Sequence, residues 1–233
     1  MNEWRSAEHA SAYLQRADRV PHRSAGEAAL LEEIPLSAHR VLDLGSGDGR
    51  LLALVLHARP QARGVAVDFS PLMLEQLRAR FASAPTVHVV DHNLDDSLPF
   101  LGTFDVVVSS FAIHHLEHER KRELYEEIWA LLEPGGVFCN LEHVASVSPD
   151  AHQRFLEAMG ITAREEDPSN KLLEVERQLE WLRTIGFMDV DCYWKWRELA
   201  LLVGRKPQEN PHLSTDAGPV GAIDDEDVGR SPA

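Results

Sequence analysis

The segment VLDLGSGDGRLL, residues 41–52, decides the fold, because it places a glycine-rich turn between a short apolar run and an apolar pattern of helical spacing. A second apolar run, GVAVDF at residues 64–69, follows, and its acidic residue is Asp68. A strand, a glycine turn, a helix and a second strand in this order are typical of a parallel sheet with crossover helices. Residues 41–69 therefore predict the first unit of an α/β fold.

The same alternation continues to about residue 206 and predicts the remaining elements. Further strands are predicted over Val87–Val90, Phe104–Ser109, Val137–Val144, Met188–Trp196 and Glu198–Gly204, and helices over Arg50–Ala58, Pro71 to about Arg80, Leu124–Leu132, Asp150–Met159 and Leu172–Leu182.

The last two predicted strands are joined by a turn too short for a helical crossover. This pair must therefore be antiparallel, within a sheet that is otherwise parallel. Strict alternation along the first of the two strands predicts Cys192, Trp194 and Trp196 on one face of the sheet.

Composition argues against several classes of function. The 23 Lys and Arg against 38 Asp and Glu give a net charge of −15, which disfavours binding to nucleic-acid phosphates or to an anionic membrane surface. Cys139 and Cys192 are expected to be reduced thiols. No apolar run approaches the roughly 20 residues of a membrane span, and no signal peptide is visible. We therefore expect a cytoplasmic protein without a membrane partner.

The chain divides into three predicted segments. Residues 1–39 suggest two helices, which either pack on the sheet or lie as a lid over its active edge. Residues 40–206 form the α/β domain. Residues 207–233 are rich in Pro, Gly, Asp and Ser with few large apolar side chains, and they predict a disordered acidic tail.

The glycine turn at residues 45–49 indicates a ligand, because missing side chains allow close approach to the backbone. Asp68 stands where an acid is expected to bind a ribose hydroxyl. The spacing G-x-G-x-G differs from a dinucleotide fingerprint, and the carboxylates of Asp43 and Asp48 would repel a pyrophosphate. The predicted ligand carries a nucleoside at one end and a positive charge, such as a sulfonium or amine, at the other.

Four motifs resemble those of the class I S-adenosylmethionine-dependent methyltransferases: VLDLGSGDGRLL (41–52), GVAVDFSPLML (64–74), FDVVVSSFAIHHL (104–116) and LLEPGGVF (131–138). They occur in the order and spacing of that family, over about residues 40–206. The resemblance implies a Rossmann-like α/β fold with helices on both faces and a seven-stranded, mostly parallel sheet with one antiparallel strand. It also implies S-adenosyl-L-methionine as the cofactor.

The resemblance further assigns roles to individual residues. Asp43 would lie near the methionine ammonium, Asp68 would bind the ribose hydroxyls and Phe69 would lie against the adenine. Many relatives have an Asp that faces the adenine amino group where this chain has Asn93, with Asp91 or His92 as the alternative equivalent. The full implied cofactor-binding set is Asp43, Gly45, Ser46, Gly47, Asp68, Phe69, Asn93, Leu94 and Ser109.

The acceptor is expected beyond the carboxyl ends of strands four to six, where ligands bind in open α/β sheets. An imidazole there can take a proton from the acceptor, and a loop pair that caps the next helix is the alternative. Adjacent histidines cannot both face the pocket in an extended chain. The candidate catalytic residues are His114, His115 and His143, and the candidate substrate-binding residues are Glu142, Lys195, Trp196 and Arg197.

Lys195 and Arg197 are cations in an acidic chain that could bind an acceptor carboxylate, unless they belong to a solvated turn. The spacing of the histidines and Glu142 matches no metal-ligand signature, so no metal is predicted.

The predicted function is methyl transfer to a small-molecule acceptor by in-line displacement, a reaction in which positioning alone lowers the barrier by about 7–11 kcal/mol. Two alternatives stay open, a tRNA-directed methyltransferase and a non-catalytic binder of S-adenosylmethionine or a derivative of it. The sequence leaves the oligomeric state open.

Overall fold

A computed structural model of the chain describes residue 8 and residues 20–208. Within this part the strands are β1 (Arg40–Leu44), β2 (Arg63–Asp68), β3 (Val87–Asp91), β4 (Phe104–Ser110), β5 (Leu132–His143), β6 (Met188–Trp196) and β7 (Leu199–Arg205). The helices are α1 (Arg23–Glu33), α2 (Arg50–Ala58), α3 (Pro71–Arg80), α4 (His118–Leu131), α5 (Pro149–Met159) and α6 (Val175–Ile185), and a 3₁₀ turn spans Ile113–His115.

The strands form one seven-stranded sheet in the order β3-β2-β1-β4-β5-β7-β6. β1 pairs in parallel with β2 and β4, and β7 pairs antiparallel with both β5 and β6. The predicted Rossmann-like α/β fold with a single antiparallel strand is therefore confirmed. The chain order reverses beside β1, so the carboxyl end of β1 is the switch point where such sheets bind ligands.

Helices cover both faces of the sheet because the buried strands alternate their side chains between two apolar layers. Leu42 of β1 packs in a cluster with residues of α4 and α6. Val41 packs on the other side with residues of α1, α2 and α3. The inner strands β1, β2, β4 and β7 are buried from both sides, which matches their nearly continuous apolar sequences, whereas the edge strands β3 and β6 are partly exposed.

The structure corrects the predicted face of Cys192. The pairing of β6 with β7 shifts between Cys192 and Trp194, so the strand carries an irregularity at Tyr193. Cys192 therefore lies against the α4 and α6 layer, while Trp194 packs on the opposite layer with α1. A bulge adds one residue and inverts the alternation beyond it, which strict period-two counting cannot anticipate.

The structure also differs from the prediction at the start of β5 and in the contacts of Ser70. β5 begins at Leu132 and not at Val137, because Leu132 already pairs with Phe104 across an irregular register. Ser70 stands at the N-terminal cap of α3, as predicted, but its side chain makes no capping hydrogen bond.

The described part of the N-terminal segment is the helix α1, which packs on the sheet through Leu30 and Ile34. The rest of the predicted helical segment and nearly all of the predicted acidic tail lie outside the described residues. None of the helices in the described part of the chain is long and apolar enough to cross a lipid bilayer.

Candidate active site

The glycine turn after β1 lies at the switch point of the sheet and contacts the segment that follows β4. Gly45 and Gly47 have φ angles of 65° and 57°, the left-handed region that favours glycine. A Cβ on Gly45 would overlap the Cβ of Ala112, which follows β4. A Cβ on Gly47 would meet nothing within 4 Å, because Gly47 borders a cavity. The turn is thus tight against the protein at Gly45 and open to a ligand at Gly47.

Gly45→Ala is expected to lower the free energy of unfolding by about 2–4 kcal/mol, since left-handed backbone strain adds to an overlap that Ala112 cannot relieve. Gly47→Ala is the matched control, with the same backbone strain but no overlap, and its loss should be about 1–2 kcal/mol. Urea unfolding of both variants measures the difference. Equal losses would show that Ala112 does not restrain the turn.

Asp68 ends β2 with its carboxylate fixed by backbone amides. Its Oδ2 accepts a hydrogen bond from the Gly47 amide at 2.9 Å, and its Oδ1 accepts from the amides of Phe69 at 2.8 Å and Ser70 at 2.9 Å. Burial raises the pKa of Asp68 although these amides oppose the shift. The carboxylate is held rigidly at the cavity wall, where it can accept hydrogen bonds from a ligand.

Asp43, two residues before Gly45, is the buried carboxyl group of the site. Both of its carboxylate oxygens are buried without a hydrogen-bond partner among the described residues. Burial raises the pKa of Asp43 to about 7, and the nearby carboxylates of Asp68 and Asp48 add to the effect. A buried carboxylate without a partner is costly, so its place at the cavity wall favours a cationic or hydrogen-bond-donating ligand.

Asp43→Asn is expected to stabilise the ligand-free protein and to weaken cofactor binding. The folded-state pKa of about 7 lies above the unfolded value of 3.8, so the wild-type protein loses stability as pH rises between them, by at most about 4 kcal/mol. Thermal unfolding should show a higher Tm for the variant at pH 8 and a smaller difference at pH 5. A lower Tm of the variant at pH 8 would contradict this description of Asp43.

The first cavity lies over the glycine turn and holds most of the predicted cofactor residues. The prediction for Ser109 is corrected, because Ser109 does not line this cavity. It is fully buried in β4, and its Oγ donates to the Leu44 carbonyl at 2.8 Å. Ser110 lines the cavity in its place, with a buried Oγ that has no partner among the described residues. The predicted residues that do line it are Asp43, Gly45, Ser46, Gly47, Asp68, Phe69, Asn93 and Leu94. His92 also lines it and Asp91 does not.

Two arginines that the sequence analysis missed also line the first cavity. Glu27 of α1 binds Arg23 at 3.0 Å and binds Arg50 through both of its oxygens, at 2.8 and 3.0 Å. The guanidinium of Arg23 lies 5.5 Å from the ring centre of Phe111. Arg50 could have been found from the sequence, because it directly follows the glycine turn, whereas nothing local marks Arg23. The cavity thus combines acids at the glycine turn with cations supplied by α1 and α2.

A second cavity adjoins the first, and Phe111 and His115 line both. All three predicted histidines, His114, His115 and His143, line the second cavity. The two adjacent histidines do so because they lie in a 3₁₀ turn and not in an extended segment, with ring centres 4.0 Å apart. The restriction for an extended chain therefore does not apply to them, and His115 is the histidine at the junction of the cavities.

His114 forms a buried pair with Glu142. Its Nδ1 lies 2.7 Å from Glu142 Oε1. Burial lowers the pKa of His114 well below its ordinary value and raises the pKa of Glu142. Because burial opposes a charge on either partner, the contact is better described as a hydrogen bond than as an ion pair.

None of the four predicted substrate-binding residues lines either cavity. Glu142 is fully buried, is bound to His114 and lines neither cavity. Lys195 and Arg197 line neither cavity either, and Trp196 packs against His22 with ring centres 4.5 Å apart. The reason is the strand order: β7 lies between β5 and β6, so the end of β6 is about 10 Å farther along the sheet edge than β5.

Glu198, at the start of β7, organises the far wall of the second cavity. Its carboxylate lies 3.0 Å from His143 Nε2 and 2.9 Å from His152 Nδ1, and it also accepts from Ser146 Oγ. Burial opposes the charge of Glu198, but these three groups outweigh it and hold its pKa below the usual value. His143 is thereby tied to a buried carboxylate, and α5, which carries His152, is fixed over the cavity.

Metal binding receives no support from the geometry, since no group of three or more His, Cys, Asp or Glu in residue 8 and residues 20–208 is arranged to hold a metal ion.

The chain is similar to known methyltransferases. A model of a methyltransferase domain matches residues 41–136. An uncharacterized methyltransferase of Mycobacterium tuberculosis is 36% identical over 110 residues, which cover 47% of this chain and 53% of the relative. A tRNA U34 carboxymethyltransferase of Syntrophotalea carbinolica is 28% identical over 167 residues, covering 68% of this chain and 47% of the relative. The chain spans about half the length of these curated relatives.

Among solved structures, human N-acetylserotonin methyltransferase in complex with S-adenosylmethionine has a TM-score of 0.65 at 19% identity, covering 88% of this chain and 58% of that one. At this identity the likeness concerns the fold alone. It reproduces the layered architecture in which the two cavities lie.

The fold is a doubly wound α/β sheet with a cavity at its switch point. The matching domain model over residues 41–136 and the similar proteins are consistent with a class I S-adenosylmethionine-dependent methyltransferase domain, for which S-adenosyl-L-methionine is the cofactor.

The described residues fit this cofactor on physical grounds. The unpartnered carboxylate of Asp43 suits the ammonium at the methionine end, and the open surface at Gly47 allows close approach. Arg23 and Arg50 would pair with the methionine carboxylate, and Asp68 with the ribose hydroxyls. Acids and cations thus stand at one cavity in the combination that a zwitterionic nucleoside requires.

Proposed function

We propose that the protein transfers a methyl group from S-adenosylmethionine to a small-molecule acceptor bound in the second cavity. The observation that carries the proposal is the junction of the two cavities, where Phe111 and His115 line both. An acceptor in the second cavity can reach a methyl group presented from the first without leaving the protein interior.

The lining of the second cavity indicates the class of acceptor. One side is apolar, formed by Phe155, Leu156 and Met159 of α5 with Ile161, and the other carries the acids Glu165, Glu166 and Asp167. Lys and Arg are missing from its described lining residues. A phosphodiester would be repelled by these acids, whereas an apolar molecule with a neutral or basic polar group fits.

The reaction needs little more than positioning and a base. When bound, S-adenosylmethionine supplies a methyl group on a sulfonium, and transfer forms a bond from the acceptor heteroatom to the methyl carbon while the carbon–sulfur electron pair returns to sulfur. His115 is the candidate base that takes the proton of an amine, hydroxyl or thiol acceptor. Burial lowers the pKa of His115 to about 2, which keeps its imidazole neutral but makes it a weak base, whereas the nearby carboxylate of Asp167 opposes this shift.

The proposal is tested by release of S-adenosylhomocysteine from the purified protein with apolar amines, phenols, thiols, matched carboxylates and bulk tRNA. Turnover with a member of the first three groups supports it. Turnover with tRNA alone would overturn the acceptor class. Tight binding of S-adenosylmethionine without turnover on any group would instead support a non-catalytic binder.

A tRNA acceptor is the second candidate, because the Syntrophotalea carbinolica relative is named a tRNA U34 carboxymethyltransferase. The acids that line the second cavity and the net charge of −15 argue against it. A cytoplasmic location belongs to the same proposal and is supported by the two cysteines, both of which are free.

A further inference from the structure

A hydroxyl group joins His115 to a carboxylate. Ser169 Oγ lies 2.9 Å from His115 Nδ1 and donates to Asp167 Oδ1 at 2.7 Å. A serine hydroxyl has one proton. Because Asp167 receives that proton, the contact with His115 requires the imidazole Nδ1–H to donate to Ser169 Oγ.

The loop that carries Ser169 is fixed against the 3₁₀ turn that carries His115. The Lys171 amide donates to the His114 carbonyl at 2.8 Å, and the Ser169 amide donates to Asp167 Oδ1 at 2.9 Å. The buried ammonium of Lys121 donates to the carbonyls of both His114 and Lys171. The alignment of Ser169 with His115 is therefore imposed by several bonds and not by a single mobile side chain.

We propose that Asp167 and Ser169 are positioning residues that hold His115 in the tautomer protonated at Nδ1, so that Nε2 accepts the proton of the methyl acceptor. The tautomer itself follows from the contacts of this loop, and only its catalytic consequence rests on the proposed function. A hydrogen bond at one ring nitrogen determines which nitrogen is protonated.

The protons balance with these groups and the solvent. The acceptor X–H loses its proton to His115 Nε2 as its lone pair bonds to the methyl carbon. The imidazolium so formed keeps its Nδ1 proton, and Asp167 stabilises its charge through Ser169 without becoming protonated. Solvent removes the Nε2 proton after the products leave.

The tautomer is measured without any substrate, from long-range proton–nitrogen correlation spectra of the ¹⁵N-histidine-labelled full chain. His115→Gln identifies the His115 signals by their loss. The wild-type protein is expected to show a protonated Nδ1 and an unprotonated Nε2. Ser169→Ala removes the group that accepts from Nδ1, so the tautomer protonated at Nε2 should become populated, while Ser169→Thr, which keeps the hydroxyl, should retain the wild-type pattern.

A proton on Nε2 in the wild-type protein, or an unchanged pattern in Ser169→Ala, would overturn the proposal. Asp167→Ala is a second test. Without the Asp167 carboxylate, the Ser169 hydroxyl can donate to His115 Nδ1, so the imidazole should be protonated at Nε2. With an acceptor in hand, Ser169→Ala should lower kcat about 10-fold or more at unchanged KM for the cofactor. If the protein turns over no acceptor, the proposed function fails and the tautomer measurement still stands.

Discussion

Asp68→Ala is expected to weaken S-adenosylmethionine binding by more than about 100-fold. The carboxylate is the predicted partner of the two ribose hydroxyls, and hydrogen bonds to a charged group contribute about 1.5–3 kcal/mol each. The substitution also leaves the amides of Gly47, Phe69 and Ser70 without their acceptor, which loosens the turn under the ligand. Calorimetric titration of both proteins with the cofactor measures the change in Kd.

The matched control for Asp68→Ala is Glu75→Gln, which removes an exposed acid from the neighbouring helix α3. Its Kd should equal that of the wild-type protein. Asp68→Asn keeps one carbonyl oxygen and the shape of the side chain, so its loss should be intermediate. An unchanged Kd in Asp68→Ala would show that the ribose contact is assigned to the wrong residue.

His115→Gln is expected to lower kcat by about 100-fold or more, since a positioned base contributes about 10²–10⁴ to the rate. The histidine lies at the junction of the two cavities, and its neutral imidazole is held by Ser169. The Kd of the cofactor should change less than about threefold, because Asp43, Asp68 and the glycine turn remain. Steady-state kinetics with an acceptor from the proposed class separate the two effects.

His57→Gln is the matched control for His115→Gln, because His57 lies exposed in the last turn of α2, away from both cavities. It should leave kcat unchanged. If His115→Gln also kept the wild-type kcat, the acceptor would lose its proton to solvent or to another group, and His115 would have no role as a base.

Most residues predicted for the cofactor site line the first cavity, because this part of the fold is built from local contacts. The glycine turn joins β1 to α2, and Asp68 ends the next strand, so both follow from the spacing of one continuous unit. The Asp68 carboxylate accepts a hydrogen bond from the Gly47 amide of that turn. Where consecutive elements form the site, periodicity and turn residues are sufficient.

The acceptor half depends on contacts between residues far apart in the chain, which periodicity does not encode. The wall opposite His115 is formed by α5 and residues 161–170, and their position is fixed by Lys171 and Glu198. No local signal marks Ser169 or Asp167 as partners of His115. The cationic turn after β6 lies away from both cavities, because strand order, and not chain order, decides its distance from them.

The most direct test of the central claim is calorimetric titration of the full chain with S-adenosylmethionine, S-adenosylhomocysteine and NAD under one set of conditions. Asp43 and the G-x-G-x-G turn favour a cationic nucleoside over a pyrophosphate. We expect one molecule of S-adenosylmethionine or S-adenosylhomocysteine to bind per chain and NAD to bind at least about 100-fold more weakly. Preferential binding of NAD would contradict the account of this cavity.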